Sequence, residues 1–383
     1  MSTPTLKTRL PEVGTTIFTV MSQLAVQHDA VNLGQGFPDF PCDERLQALV
    51  TEAMRAGHNQ YAPMSGVAGL REAIAQKTAR LYGRAYDPGA EITVTAGATQ
   101  AIMGAILACV HPGDEVIALE PCYDSYIPGV RLAGGVPVLV ALNPGDYSVP
   151  WEKVRAAISP RTRLILLNSP HNPSGAVFSA ADLDALEALV CDTRILLLAD
   201  EVYEHIIFDG IAHQSLARRA ALAERAFVIS SFGKSFHTTG WKIGYCCAPP
   251  ELTAEFRKVH QFMVFAVSSA VQHGIAAYLK DPAPYETLPA FYQWKRDRFR
   301  HGLAASRFKL LPCAGTFFQV VDYSAISDEP EEQFARRLTT DHGVAAIPVS
   351  AFYAQPLESK VVRFCFAKKE ETLDRALERL VKA

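Results

Sequence analysis

None of the eight cysteines in this 383-residue chain forms a Cys-x-x-Cys pair, and none of its eleven histidines stands four residues from another. Zinc-ligand and thioredoxin-type spacings are therefore missing, no metal is expected, and cysteines flanked mostly by apolar residues read as reduced core thiols. Basic residues interleaved with aromatics are also absent, and Lys+Arg 37 against Asp+Glu 40 leaves a net charge of -3. Nucleic acid is not an expected partner of such a surface. No apolar run approaches a membrane span, and Met1-Ser2-Thr3-Pro4-Thr5-Leu6-Lys7 lacks the apolar stretch of a secretory signal. The expectation is a cytoplasmic protein without a membrane partner. No internal repeat or low-complexity tract is visible. Apolar residues are plentiful at 49%, enough for a large core. The length suggests two domains, or one large α/β core with an added lobe.

Along the chain, short apolar runs alternate with helical patterns. Leu70, Ile74 and Leu81 recur at helical spacing within 66–82. Strands are expected at Ile92–Ala96, Glu115–Leu119, Leu164–Leu167, Ile195–Leu198 and Ala226–Ile229. Ser179-Ala180-Ala181-Asp182 has the form of a capping box that opens a helix carrying Leu183, Leu186 and Val190. Unbroken apolar runs separated by amphipathic helices imply a mainly parallel sheet covered on both faces, an α/β fold. Beyond about residue 275 the alternation weakens. Short strands are expected near Phe317–Val321, Ala345–Pro348 and Val361–Phe366, with a last helix from Glu371, giving a smaller α+β lobe completed by the N-terminal segment.

The chemistry is expected in Ser230–Gly244. Lys234 follows a buried strand and is surrounded in sequence by Phe, Gly, Ser and Trp, with no adjacent carboxylate. Desolvation there favours the neutral amine, which can attack a carbonyl and form a Schiff base. Gly233-Lys234-Ser235 is not a nucleotide-binding P-loop, because the glycine required five residues earlier is Val228. Taken alone, it reads first as a lysine in a surface loop.

Ligands of open α/β sheets sit outside the carboxyl ends of the parallel strands. The segments following the expected strands are Gly97-Ala98-Thr99, Pro121-Cys122-Tyr123, Asn168–Asn172, Asp200-Glu201-Val202-Tyr203 and Ser231–Lys234. Gly97, Ala98 and Thr99 at a helix start offer N–H groups and a hydroxyl to a phosphate, to which Ser231 and Lys242 can add. Tyr123 offers a stacking face. Asp200 needs a cationic partner such as a protonated pyridine nitrogen, and Tyr203 and Asn172 suit a phenolate oxygen. Singly, Gly-Ala-Thr is often only a turn, and Asp-Glu often only a helix cap. With Lys234 they form the set needed to hold pyridoxal 5'-phosphate.

Asn32-Leu33-Gly34-Gln35-Gly36-Phe37-Pro38, Asn172-Pro173-Ser174-Gly175, Asp200-Glu201-Val202-Tyr203, Ser231-Phe232-Gly233-Lys234 and Arg363 span the chain in the order of a known family. The whole resembles the class I/II aminotransferases among fold-type I pyridoxal-phosphate enzymes, most nearly the branch of methionine and kynurenine/glutamine transaminases. The resemblance implies a mainly parallel seven-stranded sheet in a large domain, 41–275, and a smaller domain formed by 1–40 and 276–383. It implies that Lys234 is the Schiff-base lysine and moves the substrate α-proton, that Asp200 faces the pyridine nitrogen, and that Tyr203 completes the catalytic set. By the same resemblance Arg363 clamps the substrate α-carboxylate, helped by Asn172 and the backbone of Gly36. Read without the family, Arg363 in Val361-Val362-Arg363-Phe364 is a solvated strand residue.

Tyr61 resembles a tyrosine that crosses a homodimer to the cofactor phosphate, and Phe265 an aromatic lent to the neighbouring substrate pocket. Lys242 departs from the arginine of many relatives, which weakens the aspartate-aminotransferase reading. Ile17, Phe18, Phe37, Tyr61, Tyr123 and Phe265 are expected near the substrate side chain, with no second arginine. The implied donors are methionine first, then phenylalanine, tyrosine, leucine, glutamine and kynurenine, with a 2-oxo acid acceptor. A carbon–sulfur β-lyase acting on cysteine conjugates is the alternative within the family. A non-catalytic sensor is disfavoured, because such regulators need a DNA-binding domain ahead of the fold and the match here begins within the first twenty or so residues.

Overall fold

Alternate residues of the central strands belong to two separate cores, the signature of a sheet buried on both faces. Ile117, Leu119, Ile165, Leu167 and Leu197 enter one apolar cluster, while Val116, Leu164, Leu166 and Leu198 enter the other. The computed structural model describes residues 6–355, 357 and 359–383. The first five residues of the expected N-terminal part of the small domain lie outside that description.

In chain order the strands are β1 (Val31–Asn32), β2 (Ile92–Thr95), β3 (Glu115–Glu120), β4 (Val136–Ala141), β5 (Thr162–Asn168), β6 (Leu196–Asp200), β7 (Ala226–Ser231), β8 (Gly244–Cys247), β9 (Lys309–Leu310), β10 (Phe318–Asp322), β11 (Val344–Ala345), β12 (Ile347–Pro348) and β13 (Val361–Cys365). The large sheet has seven strands in the order β2-β8-β7-β6-β5-β3-β4. Only β8 is antiparallel to its neighbours. The chain passes from β3 outward to β4 and then returns to the other side of β3 for β5, so the order reverses beside β3 and opens a crevice at the strand ends. Neither β4 nor β8 was expected as a strand: β4 is a half-exposed edge, and Gly-Tyr-Cys-Cys is too short to signal itself.

Helices form where the sequence supplies caps and stripes. Ala180–Val190 starts with the expected box, Ser179 and Asp182 each bonding the other's backbone N–H. Ala68–Tyr82 buries Leu70 and Ile74, with Leu81 half-buried. The helix after β2 runs Gly97–Cys109, with Gly97, Ala98 and Thr99 at its start as expected.

The second core joins Met21, Val31 and Leu33 to Phe299, Phe317, Phe364, Leu373 and Leu380. Its four-stranded antiparallel sheet runs β12-β13-β10-β9, and β1 pairs in parallel with β11. The single strand expected over Ala345–Pro348 is thus two strands in two sheets, because the chain leaves β1's side at Ala346 and crosses to β13. The helix Ser269–Tyr278 runs through the expected boundary at 275 and packs on Glu44–Arg55, where a side chain at Gly274 would strike Val50. From the large sheet, Val202, Tyr203, Ile206 and Phe208 also enter the second core.

Candidate active site

The five expected strand ends meet. A cavity of about 180 Å³ is lined by Gly97, Ala98 and Thr99 after β2, Tyr123 and Tyr126 after β3, Asn168 and Asn172 after β5, Asp200 and Tyr203 after β6, and Ser231, Lys234 and Lys242 around β7 and β8. At one end Gly97 takes φ +75°, and a Cβ there would lie 3.2 Å from Lys242 Nζ. The helix Gly97–Cys109 points its unpaired N–H groups into this end beside the Lys242 ammonium, which together make an anion cradle. Ser231 Oγ accepts from the N–H of Gly233, 3.1 Å, capping the single helical turn Phe232–Ser235 that carries Lys234.

The middle of the cavity holds the titrating pair. Lys234 Nζ donates to the carbonyl of Gly36 at 3.1 Å and lies 5.5 Å and 5.3 Å from the ring centres of Tyr203 and Phe317. Burial lowers its pKa to about 8, helped by the nearby Arg363 charge, so the neutral amine is accessible near physiological pH. Asp200 is 4% exposed. It accepts from Tyr126 Oη at 2.6 Å and more weakly from the N–H of Val202 at 3.3 Å. Burial still raises its pKa to about 6, which marks a carboxylate short of positive partners inside the protein. Tyr203 is buried, edge-on to Phe317, and burial raises its phenol well above the ordinary range.

A second cavity of about 290 Å³ opens on the same lysine and is lined by Thr16, Phe18, Gln35, Gly36, Phe37, Tyr123, Asp124, Asn172, Phe318 and Arg363. Arg363 is 1% exposed, correcting its reading as a solvated strand residue. β13 is central in its sheet, and the guanidinium turns inward against the Phe318 ring at 3.8 Å. Its two terminal nitrogens donate to Asn172 Oδ1, 2.6 Å, and to the Gly34 carbonyl, 2.9 Å. The buried Nε has no partner among the described residues. Burial lowers its pKa to about 10, so it remains a cation at neutral pH. The backbone of Gly36 must pass close, since a Cβ there would lie 2.7 Å from Phe318.

Phe18 and Phe37 line this second cavity, but Ile17 does not; one step along the helix Ile17–Gln27 turns it onto the second core. Tyr61 and Phe265 also lie elsewhere. They meet edge to face at 5.2 Å, are 83% and 48% exposed, and Tyr61 lines a separate surface cavity with Met54 and His58. Sequence reasoning missed Tyr126, Asp124 and Phe318. Tyr126 had a usable signal, since it follows Tyr123 by three residues and so sits on the same side of a helical turn.

Comparison with known proteins agrees with this geometry. The model of the aminotransferase class I and II family matches residues 28–380. The chain is 51% identical over 375 residues to the methionine aminotransferase of Escherichia coli, covering 98% of this chain and 97% of that one. It is 40% identical over 384 residues to a probable N-succinyldiaminopimelate aminotransferase of Mycobacterium tuberculosis, covering 97% of each. Identity to the kynurenine–oxoglutarate transaminase of Dictyostelium discoideum is 33% over 409 residues, 96% of this chain and 94% of that one. A crystal structure of an Escherichia coli protein with a methionine aminotransferase function superposes with a TM-score of 0.98 at 50% identity, each chain fully covered.

Sheet, strand-end cavity and amine define a fold-type I transaminase, an enzyme that exchanges an amino group between an amino acid and a 2-oxo acid. The chain belongs to the class I and II aminotransferases, whose members use pyridoxal 5'-phosphate. The residues present fit that group: an anion cradle at Gly97 and Lys242, an under-neutralised carboxylate at Asp200, and a deprotonatable amine at Lys234.

Proposed function

We propose that the protein transaminates apolar, sulfur-containing and aromatic L-amino acids, methionine foremost, with phenylalanine, tyrosine, leucine, glutamine and kynurenine as further donors. The observation that carries this reading is the second cavity. It holds one guanidinium, Arg363, stacked on Phe318, with the rings of Phe18, Phe37 and Tyr123 among polar residues such as Thr16, Gln35 and Asp124, and no second arginine among its lining residues. An acidic side chain finds no second guanidinium there and meets the Asp124 carboxyl, whereas a thioether or ring gains roughly 25 cal/mol per Å² of apolar surface it buries.

In this reading Arg363 takes the substrate α-carboxylate through its free N–H groups while Asn172 and Gly34 hold the guanidinium plane. Gly97, Ala98, Thr99, Ser231 and Lys242 hold the cofactor phosphate, Tyr123 lies against the ring, and Tyr203 and Asn172 meet its phenolate oxygen. Bound pyridoxal phosphate supplies an electron sink that makes the substrate α-proton acidic. Lys234, with its pKa lowered to about 8, takes that proton and returns it on the other side of the exchange. Asp200 keeps a negative charge facing the ring nitrogen.

The working unit is a homodimer with shared sites. Tyr61 meets Phe265 edge to face, Met54 lines the same surface cavity as Tyr61, and Phe262 and Met263 are exposed as well, while none of the five lines the chain's own cofactor cavity. Residues 41–275 form the cofactor-binding domain, and the N- and C-terminal segments the smaller one. The enzyme works in the cytoplasm; its eight cysteines are free, and among the described residues no helix is long and apolar enough to cross a membrane. Single-turnover rates across donors test the substrate class: methionine and phenylalanine are expected to outpace aspartate, and the reverse order would remove it. Pyruvate and ammonia released from a cysteine conjugate without a 2-oxo acid would indicate the β-lyase instead.

A further inference from the structure

Behind the cofactor cavity lies a charged cluster that substrate and cofactor do not reach. Lys77 and Glu204 form an ion pair at 2.6 Å, with side chains 4% and 3% exposed. Lys77 comes from the helix Ala68–Tyr82, and Glu204 from the turn after β6. The same carboxylate accepts from the hydroxyls of Ser230 on β7, Tyr82 at the helix end and Tyr245 on β8, the last at 2.9 Å. Lys77 also donates to Tyr245 Oη at 2.7 Å. One carboxylate thereby ties three neighbouring elements of the site. Ser230 precedes Ser231 on the strand that leads to Lys234, and Tyr245 follows Gly244 on the strand entered from Lys242.

The turn itself has two faces. Asp200 and Tyr203, three residues apart, line the cofactor cavity. Glu201 and Glu204, one step further round, are buried on the other side. Glu201 is held by His213 at 2.9 Å and by the N–H of Leu216 at 2.9 Å. A buried ion pair contributes little net stability compared with well-packed apolar side chains, so one retained here serves the geometry it fixes.

We propose that Glu204, held ionised by Lys77, is a positioning residue of the transaminase: it sets the rotation of the turn that aims Asp200 and Tyr203 and fixes its spacing from β7 and β8. This inference rests on the cofactor reading of the cavity. Neither Lys77 nor Glu204 touches the reacting groups. Their effect passes through backbone that a displacement on the order of 1 Å would spoil by about 100-fold in rate.

The test uses the holoenzyme. Glu204→Gln leaves Lys77 buried without a counter-charge and is expected to lower Tm. The double variant Lys77→Met/Glu204→Gln removes both charges, keeps a carbonyl acceptor for Ser230 and Tyr245 while the Tyr82 hydroxyl turns to accept from the amide N–H, and recovers most of the Tm. Positioning predicts that the double variant still has kcat for methionine reduced by ~10-fold or more, with KM within about twofold, on the scale of a misplaced catalytic group. It also predicts a moved pH midpoint for the visible absorbance of the bound cofactor. Tyr82→Phe, which removes one donor outside the cavity, is expected to move that midpoint the same way by less. Wild-type kcat and an unmoved midpoint in the double variant, or a lowered Tm with an unmoved midpoint in Tyr82→Phe, would overturn the proposal. A wild-type protein that takes up no visible chromophore would instead overturn the cofactor reading itself.

Discussion

Two carboxylates four residues apart in one turn meet opposite fates. Glu204 faces a lysine and three hydroxyls, and although burial works against its charge, the Lys77 ammonium brings its pKa well below the usual carboxylate range. Asp200 faces the cavity with one phenol and one distant N–H, and burial drives it up to about 6. The difference lies in pairing, since both are almost fully buried. The cavity side is left short of partners, and that shortage is the chemical specification of what it binds: something cationic for Asp200, something electrophilic for Lys234, something anionic for Lys242. On the opposite side both carboxylates, Glu201 and Glu204, find their partners within the chain.

The contrast can be broken by substitution. Lys234→Ala should have the largest effect, a loss of at least ~10⁴-fold in turnover, because the cavity's other amine, Lys242, stands in the anion cradle beside Gly97. Steady-state assays with methionine check it, and residual activity within tenfold of wild type would remove the lysine from the chemistry. Arg363→Lys should cost roughly 10²–10³-fold in kcat/KM, since a point charge cannot replace a planar fork braced by Asn172 and Gly34. An effect confined to kcat would argue against carboxylate binding.

Asp200→Asn sharpens the contrast by separating function from stability. Turnover should fall about 10²-fold, on the scale of a lost electrostatic partner. The cofactor-free protein should become more stable at pH 7 by about 3 kcal/mol, following from the displacement of the Asp200 pKa from 3.8 to about 6. The sign follows from proton binding: the folded state holds this proton more tightly than the unfolded one, so ionising Asp200 costs stability as pH rises through 4 to 6. The gain should fade towards pH 4, and chemical denaturation at two pH values measures it. The smallest effect concerns the wild-type protein. Cofactor uptake by the cofactor-free form needs the neutral Lys234 amine, so its rate should rise with pH through about 8 and level off above it. A rate that goes on rising in stopped-flow absorbance towards about pH 10, the ordinary lysine range, would show that the lysine is not desolvated.

Much of this was legible in the chain because it is local. The apolar runs of β3, β5, β6 and β7 announce a buried sheet, the rule of carboxyl strand ends then gathers Gly97, Tyr123, Asn172, Asp200 and Lys234, and each landed in one cavity. The capping box at Ser179 needed only four residues and formed as read. Less local features escaped. The β8 run is too short to be distinguished from a turn, and its antiparallel place between β2 and β7 follows from hydrogen bonds to residues far away in sequence. Ile17 packs on the second core and does not line the second cavity, because the face its helix turns to that cavity is set by segments distant in sequence, Phe318 and Arg363 among them.

The sequence by itself determined which residue types stand at the strand ends and in what order, and those follow from periodicity and chain direction. Only the tertiary structure decided their charge states and which surfaces they share. Arg363 became a buried cation against Phe318, Asp200 found Tyr126, and Lys77 met Glu204. The physical reason is that a pKa and an ion pair depend on distance and solvent exclusion, and both are set by contacts between segments that no short window of sequence contains.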